Sequence, residues 1–385
     1  MRRAVSGGIL GRGSRSAPSG RGLVLGRVAM TALAGVAMAC VALWVSNVTV
    51  TSFESDGFFF LATGRELAER GLPATNVWAT DPALGIVVQQ WAHVLVYWKL
   101  FEALGWAGPR LLVPIMLAFA LTCTHVAIRE CSGGRVTAAR EAVVLLPLVI
   151  LLGAYLVARP QMWTMGLAML CAAACERARR RLDARWLLAL PAIMCFHMQL
   201  HMALAWLDVC VVGCWAVWGL VRPALRRLVG CRDDGRPKGL AWWWYALAMA
   251  AMAVASAANP YGVDGSLYLV RSFGVASYRN AIIEMKPIWA LGAAAAVDWA
   301  TRSAWSFAVP VVLARALGRP LRGELVVMAA AGCVAALLQA RNGWMAPVLA
   351  VPLWSLVIGT ESLRVGAGPA SDEEGRGRDG SDPAR

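Results

Sequence analysis

The sequence predicts an all-α polytopic membrane protein with about ten transmembrane helices. Three observations carry that prediction. First, 59% of the 385 residues are apolar and only 16% are charged, against roughly 45–50% and about 25% in a soluble domain. Second, apolar runs recur at 28–50, 109–128, 141–158, 161–176, 186–199, 200–220, 240–258, 303–318, 324–339 and 344–360, near the length of about 20 residues that a helix needs to cross a bilayer. Third, the charges between these runs are uneven. With the N-terminus inside, the cytoplasmic pieces hold 27 Lys and Arg and the outer pieces 10, although the outer pieces include the two longest loops, about 52–108 and 259–302. Positive charge gathers on the cytoplasmic side of membrane proteins, so the pattern predicts a multi-pass plasma-membrane protein with both termini in the cytoplasm.

The net charge of +14 does not point to nucleic acid. Its arginines lie in short patches between apolar runs, such as Arg177, Arg179, Arg180 and Arg181, or Arg222, Arg226 and Arg227. The ten cysteines contain no CxxC pair, and Cys171, Cys175, Cys210 and Cys214 lie inside apolar runs. They read as small apolar helix residues, with neither a disulfide framework nor a zinc ribbon.

Taken in order, residues 1–26 are rich in Arg, Gly and Ser without apolar periodicity, as in a flexible basic tail. The run at 28–50 continues ten residues past the small-residue stretch Ala37-Met38-Ala39-Cys40, so it reads as an uncleaved anchor. It opens a transmembrane domain over 27–360, and 361–385 form a second polar tail. The first outer loop begins with Glu54-Ser55-Asp56, carboxylates at the membrane surface. Gly57-Phe58-Phe59-Phe60-Leu61-Ala62-Thr63-Gly64-Arg65 follows as a juxtamembrane helix apolar enough to lie among headgroups. Gly71-Leu72-Pro73-Ala74-Thr75-Asn76 is a turn, and Gln89-Gln90-Trp91-Ala92-His93 starts a second aromatic helix. The apolar run 186–220 spans 35 residues. As one helix it would measure roughly 52 Å, too long for a hydrocarbon core of about 30 Å. Both flanks are basic, so an outer turn is expected near residues 197–201, or else a re-entrant pair of short helices.

This topology sends the unusual polar residues to the outer face: Asp56, Arg159, Gln161, His197, Gln199, His201, Asn259, Glu284, Lys286, Gln339, Arg341 and Asn342. Polar groups at membrane depth are costly and mark a cavity or pathway, so one extracytoplasmic site is expected. Each residue also has a plainer role. Asp56 could cap the helix that follows it. Arg159 and Arg341 could reach for headgroups or hold a lipid phosphate. Asn259-Pro260-Tyr261-Gly262 is at least a turn, and Glu284 and Lys286 could form a surface ion pair. His197, His201 and Asp208 would share a face on one continuous helix, which raises a metal site. Met198 stands where a zincin helix needs Glu; interhelical hydrogen bonding and substrate contact are the other readings, and no metal ligand is assigned. No nucleotide-binding or nucleophile-elbow motif is present, and the cytoplasmic loops are short. Any chemistry then draws on a substrate reached from outside or from the bilayer, most simply an activated lipid.

In their order, these segments resemble the bacterial multi-spanning proteins of the GT-C glycosyltransferase superfamily, in its protein mannosyltransferase-like group, over about residues 28–360. The stretch from Asp56 to Arg65, with Gly71-Leu72-Pro73 after it, is similar to that family's Asp-led first outer loop. The tryptophan helix at Trp91 matches the next piece. Arg159-Pro160-Gln161 looks like its RPQ connection, and Gln199-Leu200-His201 stands where Asn-Leu-His is common. Asn259-Pro260-Tyr261-Gly262, Glu284 with Pro287, and Arg341-Asn342 match later signatures. The resemblance implies a GT-C-like fold and transfer of a sugar from a polyprenyl-phosphate donor to an extracytoplasmic acceptor with inversion. Asp56 would be the catalytic base. Glu54, Arg159, Gln199, His201, Asn259, Glu284, Lys286, Arg341 and Asn342 would surround the substrates, with Arg159, Lys286 and Arg341 on the phosphate. No cofactor is required, although a divalent cation could replace one basic residue. The implied partners are the lipid-linked sugar and membrane lipids. The chain departs from the family pattern where Ser55 separates Glu54 from Asp56 and where Gln199 replaces Asn. A non-catalytic protein that binds or translocates a lipid-linked intermediate would use the same outer groove.

Overall fold

A computed structural model describes residues 55–73, 75, 87–133, 136–228, 239–268 and 285–359, and over these the protein is helical with no strand. The predicted span at 28–50, both tails, Glu54 and Glu284 lie outside the described residues.

The two aromatic segments of the first loop form α1 (Ser55–Arg70) and α2 (Trp91–Leu104). There follow α3 (Ala107–Cys131), α4 (Ala138–Leu152), α5 (Gln161–Arg181), α6 (Ala189–Leu200), α7 (Met202–Leu228) and α8 (Trp242–Ala255). The chain ends in α9 (Ala293–Ser303), α10 (Val309–Ala316), α11 (Gly323–Leu338) and α12 (Met345–Ile358). By length and composition, two of the described helices, Ala107–Cys131 and Met202–Leu225, are long and apolar enough to cross a membrane.

The packing fixes which turns share an end. Gly166 of α5 lies against Phe119 and Ala120 of α3, and Arg180 of α5 donates to the Glu130 carbonyl at 3.0 Å. These helices therefore run parallel, with α4 returning between them. At one end, Met202 N–H donates to Gln89 O (2.7 Å), Val88 N–H to the Tyr261 hydroxyl (3.1 Å) and Ala340 N–H to Lys286 O (3.1 Å). This is the first-loop end. At the opposite, arginine-rich end, Arg140 donates to Ile358 O (3.4 Å) and Arg319 to Gly359 O (3.0 Å). α12 closes the centre: every residue from 343 to 355 is buried, as expected of a helix that is apolar on all sides.

The long run 186–220 breaks at His201, whose backbone (φ −160°, ψ 75°) is extended. A single helix would hold His197 and Asp208 about 16 Å apart. Instead, His197 Nδ1 lies 2.8 Å from Asp208 Oδ2, so α6 and α7 fold into a hairpin. The second long loop is shorter than expected. It was placed through 302, but it ends at Gly292 (φ 88°), and α9 runs through a π-helical turn, Ala304–Ala308, into α10. Four alanines at 293–296 favour helix, and Asp298 pairs with Arg302 one turn on at 2.7 Å. Asp298 and Arg302 thus lie together on one face of a helix.

At the arginine-rich end the charges are bound within the protein. Glu176 is wholly buried and accepts from Arg179 (2.7 Å) and from Arg322, which also donates to Glu324 (2.7 Å). Arg177 stacks on Trp186 at 4.0 Å and reaches Glu130 at 3.5 Å. A buried ion pair is neutral at best, but removing one partner strands the other. Arg322→Ala is therefore expected to cost about 3–5 kcal/mol in equilibrium unfolding in detergent, far more than Arg65→Ala on the exposed face of α1.

Candidate functional site

The site is built from α1 upward. Arg65 pairs with Glu69 (2.7 Å) and Arg70 with Glu66 (3.1 Å) on the outer surface of this helix. Its inner face carries Phe60, Thr63, Gly64 and Leu67, all buried, while Phe58 and Phe59 remain exposed. Two glycines let α1 lie against α2. A Cβ at Gly57 would sit 2.9 Å from the Tyr97 hydroxyl, and one at Gly64 only 2.2 Å from the Val94 carbonyl oxygen. Phe60 then meets the rings of His93 and Tyr97 edge-on, with centroids 5.4 and 5.7 Å away.

His93 carries this register to the next element. Its Nε2 lies 3.0 Å from Ala158 O, and Trp163 Nε1–H donates to its Nδ1 at 3.3 Å. The indole has only a hydrogen to give, so Nδ1 is bare, the proton is on Nε2, and the ring is neutral. Burial pushes its pKa down to about 4, against the hydrogen bond to Ala158. These contacts fix the connection that carries Arg159. One turn before Phe60 on α1 stands Asp56, and its Oδ2 lies 3.0 Å from Arg159 Nη2. The two side chains are 46% and 20% exposed, so the pair faces outward. Asp56 lies in the first turn of α1, as expected of a cap, but its carboxylate is engaged by Arg159.

The remaining expected residues divide into two groups. Gln199 is consumed in structure: it accepts from Trp91 Nε1 (3.2 Å) and donates to Cys195 O (2.8 Å) and to Ala258 O, tying α2, α6 and the end of α8 together. Asn259 donates to Ser256 O and Gly262 O (both 2.8 Å) and accepts from Tyr261 N–H (2.9 Å), so it holds the turn. Asn342 donates to Gln339 at 3.2 Å. Lys286 and Arg341 are half-buried, and among the described residues neither has an ion-pair partner. Their backbone strands meet at Ala340 N–H to Lys286 O, and the Tyr155 hydroxyl donates to Ala340 O at 3.1 Å. Tyr155 stands in the same connection as Arg159. The Arg341 turn thus docks against the Arg159 connection at the first-loop end.

His201 belongs to a chain of buried groups. Thr164 Oγ1 lies 2.8 Å from His197 Nε2 and 2.9 Å from His201 Nδ1, and His197 reaches Asp208. Thr164 was not anticipated. Its only signal in the sequence is a hydroxyl inside the apolar run that follows Arg159-Pro160. Among the described residues no group of three or more His, Cys, Asp or Glu is arranged to hold a metal ion. No family model matches the chain, and no curated protein matches it. The fold and site therefore define a class only: a helical protein with a half-exposed acid–base pair at one end of its bundle.

Two outcomes follow. Gly64→Val is expected to push α1 from α2, seen as faster proteolysis within 55–70 while the rest of the bundle resists. The His93 contribution to stability is complete above the unfolded histidine value of about 6.5 and is lost as pH falls from there to about 4. His93→Gln should flatten the acid side of the stability–pH curve in that window.

Proposed function

We propose that the chain is a polytopic membrane glycosyltransferase of the GT-C type, crossing the bilayer about ten times with both termini cytoplasmic. Several features support membrane embedding beyond the two long helices. Ile150 is 77% exposed, Val254 78%, Val297 67% and Val312 63%, so α4, α8, α9 and α10 present apolar side chains outward, as lipid-facing helices do. Trp106 and Trp289 are exposed toward the first-loop end and Trp242 and Trp243 toward the arginine-rich end, in keeping with two interfacial belts.

The observation that carries the catalytic reading is the Asp56–Arg159 contact at 3.0 Å. Asp56 is 46% exposed, so the contact is open to solvent on its carboxylate side and an anionic ligand can compete with Asp56 for Arg159. In this reading the phosphate of a polyprenyl-phosphate sugar binds Arg159, with Lys286 and Arg341 completing its cradle. Asp56, released, accepts the proton of an acceptor hydroxyl. The hydroxyl oxygen bonds to the anomeric carbon as the bond from that carbon to phosphate oxygen breaks. Polyprenyl phosphate leaves with the electron pair, and the configuration inverts through an oxocarbenium-like state. The basic residues act where negative charge grows on the leaving group. A divalent cation could share that work.

Reconstituted vesicles given labelled polyprenyl-phosphate sugars test this. Asp56→Asn should lower transfer by roughly 10²–10⁴-fold with polyprenyl-phosphate binding retained, whereas Arg159→Gln should weaken binding. Wild-type transfer by Asp56→Asn would remove the base assignment. Binding by the wild type, with no transfer of any sugar, would leave the non-catalytic lipid-binding reading.

A further inference from the structure

The hydrogen-bond chain Asp208–His197–Thr164–His201 is built from one atom pair per link, and its bonding inventory allows two proton orders. Thr164 has one hydrogen to give, and it lies between two imidazole nitrogens at 2.8 and 2.9 Å. It therefore donates to one ring and accepts from the other. In the first order, Asp208 is ionised and accepts from His197 Nδ1–H. Thr164 then donates to His197 Nε2 and accepts from His201 Nδ1–H, leaving His201 Nε2 bare. In the second order, Asp208 is protonated and donates to His197 Nδ1. His197 Nε2–H donates to Thr164, Thr164 donates to His201 Nδ1, and His201 Nε2 carries the hydrogen. The second order differs from the first by one added proton, and both rings are neutral in each.

We propose that these four residues form a proton wire that takes a proton at His201 Nε2 and stores it as neutral Asp208. A proton arriving from water or from a hydroxyl bonds to Nε2. The Nδ1 proton of His201 passes to Thr164 oxygen, the Thr164 proton to His197 Nε2, and the His197 Nδ1 proton to Asp208. One proton enters, one carboxylate is neutralised, and no other species is consumed.

The surroundings favour this storage. Asp208, His197 and Thr164 are wholly buried and His201 is 2% exposed. Asp208 stands about 9 Å along α7 from its start at Met202. Its Oδ1 meets no N–H or O–H donor among the described residues, and the Cys171 thiol, a weak donor, is the other group hydrogen-bonded to this carboxyl. An imidazolium at His201 would be a charge buried in an apolar interior, and passing the proton inward removes that cost. The other titratable and charged groups that face the chain are Cys171 on α5 and Cys210 on α7 toward Asp208, and His93 on α2 and Arg341 toward His201. The neighbouring helices α8 and α11 present Tyr245 and Glu324, which gather with Glu176 at the far end. If the first-loop end is the sugar-transfer site, the wire is a second proton acceptor beside Asp56, but it does not depend on that activity.

The chain has only four histidines, His93, His125, His197 and His201, so ¹⁵N-histidine NMR of the full protein in nanodiscs can read each ring. At neutral pH, His197 and His201 should both carry hydrogen on Nδ1. On acidification both should switch together to Nε2 with no imidazolium signal. In Thr164→Val the link is cut: His201 should titrate alone to imidazolium, and His197 should cease to follow it. An imidazolium at His197 or His201 in the wild type, these two rings unchanged throughout the folded pH range, or a Thr164→Val titration identical to the wild type would each overturn the wire. None of these outcomes bears on sugar transfer, which vesicle assays judge separately.

Discussion

The arrangement depends on one constraint: an apolar helical bundle offers little water to its polar groups, so a buried polar group is costly unless it finds a partner within the chain. His93 shows what this does. Its ring is buried and neutral, and its two nitrogens are matched by Ala158 O and the Trp163 indole. Satisfying them fixes α2 against the Arg159 connection. Because α1 rides on α2 through Gly57, Phe60 and Gly64, the same contacts bring Asp56 within 3.0 Å of Arg159. The site geometry is therefore a consequence of burial at His93, outside the ion pair itself.

The two ends of the bundle answer the constraint differently. Among the described residues at the arginine-rich end, Glu176, Arg179, Arg322 and Glu324 neutralise one another inside the protein. Such a network is hard to open, and it suits a clamp. At the first-loop end the Asp56 side chain is 46% exposed and the Arg159 side chain 20%, so this pair is open to solvent where the other network is not. A site that must exchange one ionic partner for another belongs where that exchange is cheap, and this asymmetry is the physical reason to look for ligand chemistry at Asp56.

Much of this was legible in the sequence. The first loop gave two aromatic helices because Phe58 to Leu61 and Trp91 to Trp98 are apolar at helical spacing, with turn residues between them. A break near residues 197–201 was expected from the length of the 35-residue apolar run and its two basic flanks, and the helix ends at Leu200. What escaped were choices made by tertiary packing. Gln199 and Asn259 read as site residues because they are polar near membrane depth, yet their amides are spent on neighbouring carbonyls. Residues 293–302 fell inside the expected outer loop, although Asp298 and Arg302 pair across one helical turn. Thr164 escaped because a hydroxyl in an apolar helix usually bonds its own backbone, as Thr124 does to Ala120 O. The Glu176–Arg322 contact joins residues far apart in sequence, where spacing carries no signal.

The central claim is that the half-exposed Asp56–Arg159 pair is the seat of a lipid phosphate. The most direct measurement is an experimental structure of the full chain in lipid nanodiscs with polyprenyl phosphate added. The account predicts phosphate density on the Arg159 guanidinium, with Asp56 turned away from it and the Arg341 turn closed over the head. Density at the arginine-rich end, or an Asp56–Arg159 contact untouched at saturating lipid, would contradict it.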